Sequence, residues 1–218
     1  MKKLEPVAQS IIMHPAVWVP DSVDDNLAKI ADFVIETGIR AVSVPDRCVE
    51  KMWAWFENRR IKIFNRYDLS NYKDLSVFSG NVTSGFRRGA SGSQIFVDMQ
   101  NLEVLADGIA PIRDDLFFDK DFVIAIDIEK INNDDWGRFF GLIKKIRPDA
   151  ILFTAHGDKF DSKSDFVGRL SSMMGAWDTD AELQIMFGKN NLRIIQTIRL
   201  AGIKLPKLAN KITVFTLD

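Results

Sequence analysis

The sequence is poor in the residues that usually announce a chemistry. It has a single cysteine, Cys48, so no internal disulfide can form, and only two histidines, His14 and His156. No apolar run approaches the roughly 20 residues needed to span a bilayer. The segment MKKLEPVAQSIIM has too short an apolar stretch, with Glu5 and Pro6 ahead of it, to serve as a signal peptide. An excess of one charge is also missing. Formal net charge is -1, with lysine and arginine scattered among aspartate and glutamate, so the chain lacks the electrostatic footprint of a nucleic-acid or anionic-membrane binder. The expectation is a cytoplasmic protein that binds neither nucleic acid nor membrane. Disordered tails are not indicated either: 46% apolar and 27% charged residues make the ordinary globular mixture. At 218 residues the expectation is one domain over 1–218.

What the sequence does have is alternation. After the apolar run AQSIIM, Ser22 and Asp25 make a capping-box-like helix start. Leu27, Ile30, Ala31, Val34 and Ile35 then recur at helical spacing up to Gly38. RAVSVPD reads as a strand, VEKMWAWFENRR as a helix and IKIF as a strand. The stretch from Ser70 to Ser93 is rich in Ser, Gly and Asn, which predicts one poor helix and a long loop. Regular order resumes with strands at SQIFVDM, DFVIAIDI, DAILFTAHG, ELQIMFG and KITVFTLD. Helices intervene at LEVLADGIAPIRDDLF (interrupted near Pro111), WGRFFGLIKKI, SDFVGRLSSMMGAW and NLRIIQTIRLAGI. Strand, helix, strand forces parallel pairing, because each return crosses one face of the sheet. Eight such strands at roughly even spacing predict a single (β/α)8 TIM barrel rather than an open sheet, since no glycine-rich turn follows the first strand. The chain stops just after the eighth strand, so the eighth helix is expected to be missing and a second subunit, in a homo-oligomer, to cover that face.

A barrel places chemistry at the carboxyl ends of its strands. His14 follows the first apolar run, Asn65, Arg66 and Asp68 end the third strand, and Asp98 the fourth. Asp127, Glu129 and Lys130 end the fifth, Thr154 and His156 the sixth, and Lys189 and Asn190 the seventh. Alternation turns Asp127 inward with Ala125 and Val123, and Thr154 and His156 inward with Leu152. On this reading His156 and Asp127 form a proton-transfer pair, assisted by His14 and Asp98. Arg66, Thr154, Lys189, Asn190 and Glu129 contact a small, anionic substrate. The same two histidines and two carboxylates also suit a divalent metal, although the leading reading requires no cofactor. Lys62 lies early in its strand, where a lysine pairs with a carboxylate or reaches solvent; Lys130 and Lys159 read as solvated charges. Arg87, Arg88, Gly89 and Gly92 suggest a flexible anion clamp in the third loop. Trp53, Trp55, Phe56, Phe117 and Phe118 read as core or interface packing.

The succession RAVSVPDRCVEKMW, SQIFVDMQNLEVLADGI, DFVIAIDIEKINNDDW and PDAILFTAHGDKF resembles the deoxyribose-phosphate aldolase branch of class I aldolase barrels, over about half the chain. That resemblance implies lyase chemistry on a small phosphorylated carbonyl compound. It also implies a Schiff-base lysine on the sixth strand, where this sequence has Phe153. Three functions therefore stand: an aldolase-like metabolic enzyme, a ligand-binding or regulatory barrel without turnover, and a metal-dependent sugar-phosphate isomerase or epimerase.

Overall fold

The apolar runs become strands because their alternate residues find two different apolar environments. In the computed structural model, which describes residues 13–22, 26–72, 74–154, 165–187 and 211–217, the strands are β1 (Met13–Trp18), β2 (Ala41–Pro45), β3 (Lys62–Asp68) and β4 (Gly92–Val97). They continue as β5 (Asp121–Asp127), β6 (Ala150–Thr154), β7 (Glu182–Phe187) and β8 (Ile212–Leu217). Each pairs in parallel with the next, and β8 pairs with β1, so the sheet closes into a barrel. Helices α1 (Leu27–Thr37), α2 (Val49–Phe56), α3 (Leu75–Arg87), α4 (Met99–Gly108), α5 (Arg113–Leu116), α6 (Trp136–Ile146) and α7 (Asp165–Gly175) lie between the strands. The protein is a (β/α)8 barrel. Among the described residues no helix is long and apolar enough to cross a membrane.

The two faces of β5 show the principle. Ile124 and Ile126, with Ile128 just past the strand, pack outward with Phe139, Ile143 and Leu102, whereas Val123 and Ala125 point inward beside Phe64, Leu152, Trp18 and Phe215. Burying one such side chain contributes about 1.5–3 kcal/mol, so a slip of one residue would be strongly disfavoured. Small and large residues alternate across the interior, and Trp18 and Phe64 each meet Phe215 edge-on.

Several local expectations change. The first described strand is MHPAVW; the run AQSII ahead of it, at 8–12, lies outside the described residues. Proline lacks an N–H for a ladder, which argues against a central strand. Pro15 is tolerated because β1 meets β2 only at Val17 and Trp18, while it meets β8 along its whole length. Helix α1 starts at Leu27 with Asn26 as its cap residue, four residues beyond the expected Ser22; positions 23–25 lie outside the described residues. Helix α6 starts at Trp136, after a short 3-10 turn over Asn133–Asp135. The supposed poor helix after Ser70 is α3, thirteen residues long, capped by the Asp74 carboxylate on the Ser76 N–H. Phe78, Val82 and Gly85 form its buried face. Outward-facing Ile212 and Val214 of β8 are already buried in the outer core, so they do not call for a second subunit. The expected helix at 191–203 lies outside the described residues.

Helix α3 is also held by a buried polar network. The Ser93 hydroxyl donates to Asn65 Oδ1 (2.6 Å), and Asn65 Nδ2 donates to Asp46 Oδ1 (3.0 Å) and to the Tyr67 hydroxyl (2.8 Å). Tyr67 Oη lies 2.6 Å from Asp46 Oδ1 and 2.9 Å from the Asn81 carbonyl, and Arg88 closes the network on Asp46 Oδ2 at 2.6 Å. Burial, then the Asp46 carboxylate, push the Tyr67 phenol far above its ordinary range. Gly85 is required here: a Cβ would stand 2.1 Å from Asn65 Nδ2 and 2.6 Å from the Tyr67 oxygen.

Candidate active site at the carboxyl rim

Three strands end in, or are followed directly by, an aspartate that starts the next helical turn. Asp68 Oδ1 accepts the Ser70 N–H (2.9 Å), Asp98 Oδ1 the Asn101 N–H (2.7 Å) and Asp127 Oδ1 the Glu129 N–H (2.9 Å). Each satisfies an otherwise orphaned amide at the carboxyl end of the barrel, which is reason enough for an aspartate there. Asp98 and Asp127 are half-buried and each commits one oxygen to the cap. Asp127 pairs in register with Thr154, the inward-facing residue that ends β6. Thr154 is fully buried and its hydroxyl has no hydrogen-bond partner among the described residues. An orphaned buried hydroxyl costs about 1–3 kcal/mol, so its position beside Asp127 calls for a functional explanation.

Arg66 is the charged group of the interior. Its side chain is only 8% exposed, on the inner face of β3, with its guanidinium carbon 4.2 Å over the Trp18 ring. Nη1 donates to the Ser43 carbonyl (3.1 Å) and hydroxyl (3.2 Å); Nη2 donates to the Val19 carbonyl (2.7 Å) and to Asp21 Oδ1 (2.7 Å). Burial lowers its pKa and Asp21 raises it, yet a guanidinium keeps its proton throughout the physiological range. The one carboxylate it meets among the described residues, that of Asp21, is 85% exposed, on the turn after β1. A buried cation with a solvent-facing counterion is chemically able to take another anion in its place.

From Arg66 a chain of hydrogen bonds crosses the barrel. The Ser43 hydroxyl donates to Gln94 Oε1 (2.6 Å), and Gln94 Nε2 donates to Gln184 Oε1 (3.2 Å). These interior residues escaped the rim-based sequence reading. Their signal was parity: Ser43, Gln94 and Gln184 are the polar members of inward-facing positions in otherwise apolar strands.

The expected rim constellation is only partly assembled. His14 is corrected: it is the second residue of β1, so it sits exposed at the amino end of the barrel, opposite Asp98 and Asp127. The four-residue metal site that joined it to those carboxylates is therefore not formed, and its role as an assisting group falls with it. Glu129 is exposed, its carbonyl accepting from Arg169. Arg66, Asp98, Asp127 and Thr154 do share the carboxyl end. His156, Lys159, Lys189 and Asn190 lie outside the described residues. No group of three or more His, Cys, Asp or Glu able to hold a metal ion occurs among the described residues. The anion-clamp reading of Arg87 to Gly92 is also corrected: Arg88 is tied to Asp46, and Gly92 opens β4 at the amino end. Lys62 pairs with Asp121 at 2.6 Å, as expected of its early position, and it is the only lysine in the described strands. Phe153 faces the helices against Trp136 and Phe139, so the interior position at this end of β6 belongs to Thr154. Phe56 and Phe117 are buried as expected, whereas Trp53, Trp55 and Phe118 keep exposed surface.

No sequence-family model matches this chain, and no curated protein matches it in sequence. Its fold, in contrast, is shared with many solved structures. An aldolase called QR15 superposes with a TM-score of 0.65 at 14% identity, covering 96% of this chain and 92% of that one. A tetrameric deoxyribose phosphate aldolase from Aeropyrum pernix gives a TM-score of 0.64 at 11% identity, covering 92% and 84%. An oxaloacetate acetylhydrolase in complex with oxalate gives 0.62 at 12% identity, covering 95% and 75%. The chain thus has the barrel fold of the deoxyribose-phosphate aldolases and of related lyases, and the resemblance read from the sequence holds at the level of fold.

Proposed function

We propose that the protein is a metabolic enzyme that cleaves or forms a carbon–carbon bond in a small phosphorylated carbonyl compound at the carboxyl rim. The observation that carries this reading is Arg66, a buried guanidinium inside the rim whose only carboxylate partner among the described residues faces solvent. The substrate's anionic group takes the place of Asp21 on Arg66, and its reacting end lies toward Asp127 and Thr154. The free oxygen of Asp127 accepts the proton of the substrate's β-hydroxyl as the carbon–carbon bond breaks. The electron pair passes to the carbonyl, whose developing oxyanion receives the unpartnered Thr154 hydroxyl as a donor, and the proton returns to carbon. His156, Lys189 and Asn190 belong to the same rim in this proposal, and a homo-oligomer like that of the Aeropyrum enzyme fits it.

Two measurements test the reading: cleavage of phosphorylated hydroxy-aldehydes and hydroxy-ketones, followed through the released aldehyde, and α-proton exchange in D2O. Wild type is expected to turn over. Arg66→Lys is expected to raise KM about tenfold or more for a phosphorylated substrate and to leave its unphosphorylated analogue nearly unaffected, since a point charge replaces a planar fork. Absence of both turnover and exchange would leave a barrel that only binds, a reading favoured by the cap roles of Asp98 and Asp127.

A further inference from the structure

The amino end of the barrel holds a cleft of about 930 Å³ that reaches inward to Phe64 and Gln184. This size is typical of small-molecule sites, although barrels of this kind work at their other end. At its lip stand Arg40 and Arg60, from the loops that lead into β2 and β3; both are exposed and neither has a carboxylate partner among the described residues. Most of the carboxylates around them are neutralised. Asp121 is paired with Lys62, Asp149 with Arg113 and Asp178 with Lys144; exposed Asp180 and Glu182 also line the cleft, together with the two arginines, Lys211 and His14.

Deeper in the cleft, Gln184 is only 3% exposed. Its amide orientation follows from the chain above it. Arg66 has only donors, so the Ser43 hydroxyl accepts from it and gives its own proton to Gln94. That proton fixes the Gln94 oxygen toward Ser43 and its nitrogen toward Gln184, which in turn fixes the Gln184 oxygen toward Gln94. Gln184 lines the cleft, and its Nε2 is left as a donor with no acceptor among the described residues. Every link points the same way, from the guanidinium at one end to a free N–H pair at the other, and such chains strengthen their terminal donor.

We propose that this amino-end cleft is a second binding site, for a small molecule bearing an oxyanion, with Arg40 and Arg60 as its charged contacts and Gln184 Nε2 as its buried donor. The site is separate from the carboxyl rim and does not depend on the reaction proposed there. Its test follows the side-chain amide signal of Gln184 in 15N–1H spectra while inorganic phosphate or citrate is titrated into the whole protein. A saturable shift is expected, and the Arg40→Ala/Arg60→Ala double variant, altered only at exposed positions, is expected to weaken it about tenfold or more. Asp21→Asn, at the other end, is expected to leave the affinity unchanged. No saturable shift in wild type, or the same affinity in the double variant, overturns the proposal. A shift whose affinity follows Asp21→Asn instead also overturns it, because the anion would then be acting from the carboxyl rim.

Discussion

Two buried polar networks lie on opposite faces of β3, and they are built to different ends. The outer one joins Ser93, Asn65, Tyr67 and Asp46 to Arg88, so a carboxylate and a guanidinium neutralise each other within it. The inner one joins Arg66, Ser43, Gln94 and Gln184, and among the described residues its charge is answered only by a carboxylate out in solvent. Asn65 and Arg66 are neighbours in sequence; alternation alone sends one to each network. The difference teaches how to tell a structural polar cluster from a ligand-competent one. A closed network with matched charge fastens two elements together, whereas an open one with a displaceable counterion has capacity left for something else.

The sharpest way to break the outer network is Gly85→Ala. Its methyl would strike Asn65 and Tyr67, and moving either opens the cluster, so a loss of about 3 kcal/mol is expected in urea unfolding. A change under about 1 kcal/mol would show that α3 is not fastened this way. Tyr67→Phe tests the same cluster more gently, with a loss of about 1 kcal/mol at neutral pH. It also carries a pH signature. The folded state holds the Tyr67 phenol protonated far above its unfolded pKa, so the unfolded chain binds fewer protons once pH exceeds about 10. Wild-type stability therefore falls as pH rises past that point, and Tyr67→Phe is expected to flatten this alkaline decline. An unchanged slope would assign the decline to other groups. The smallest effect belongs to the inner face. Thr154→Val removes a hydroxyl that has no partner among the described residues, so stability should hold or rise by up to about 1 kcal/mol while any turnover drops. Marked destabilisation would mean that the hydroxyl is structurally satisfied after all.

Much of this fold was legible because it rests on periodicity. The inward turn of Asp127 and Thr154, the outward turn of the β5 isoleucines and the pairing of Lys62 near the bottom all follow from counting by twos. What failed needed tertiary information. Pro15 argued against the true first strand because the sequence cannot show that β1 has a partner along only one side there. The Ser, Gly and Asn of α3 lowered its helical propensity, yet one of those glycines is what lets the helix approach Asn65 and Tyr67. At the site, His14 went to the wrong end with its strand. Gln94 and Gln184 carried no motif, since an interior hydrogen-bond chain appears only when four strands separate in sequence are brought round a common axis.

The uneven pairing of β1 has a mechanical meaning. A closed barrel loosens first where its ladder is shortest, and here that seam runs between β1 and β2, where only Val17 and Trp18 are in register before Val19 donates to Ser43. Arg66 is riveted across the seam, holding the Val19 carbonyl on one side and the Ser43 carbonyl on the other. The guanidinium that would greet an anion is thus also the clasp of the cylinder. Ligand occupancy and the breathing of the barrel draw on the same group, and the amide of Val19 is where one would be felt as the other.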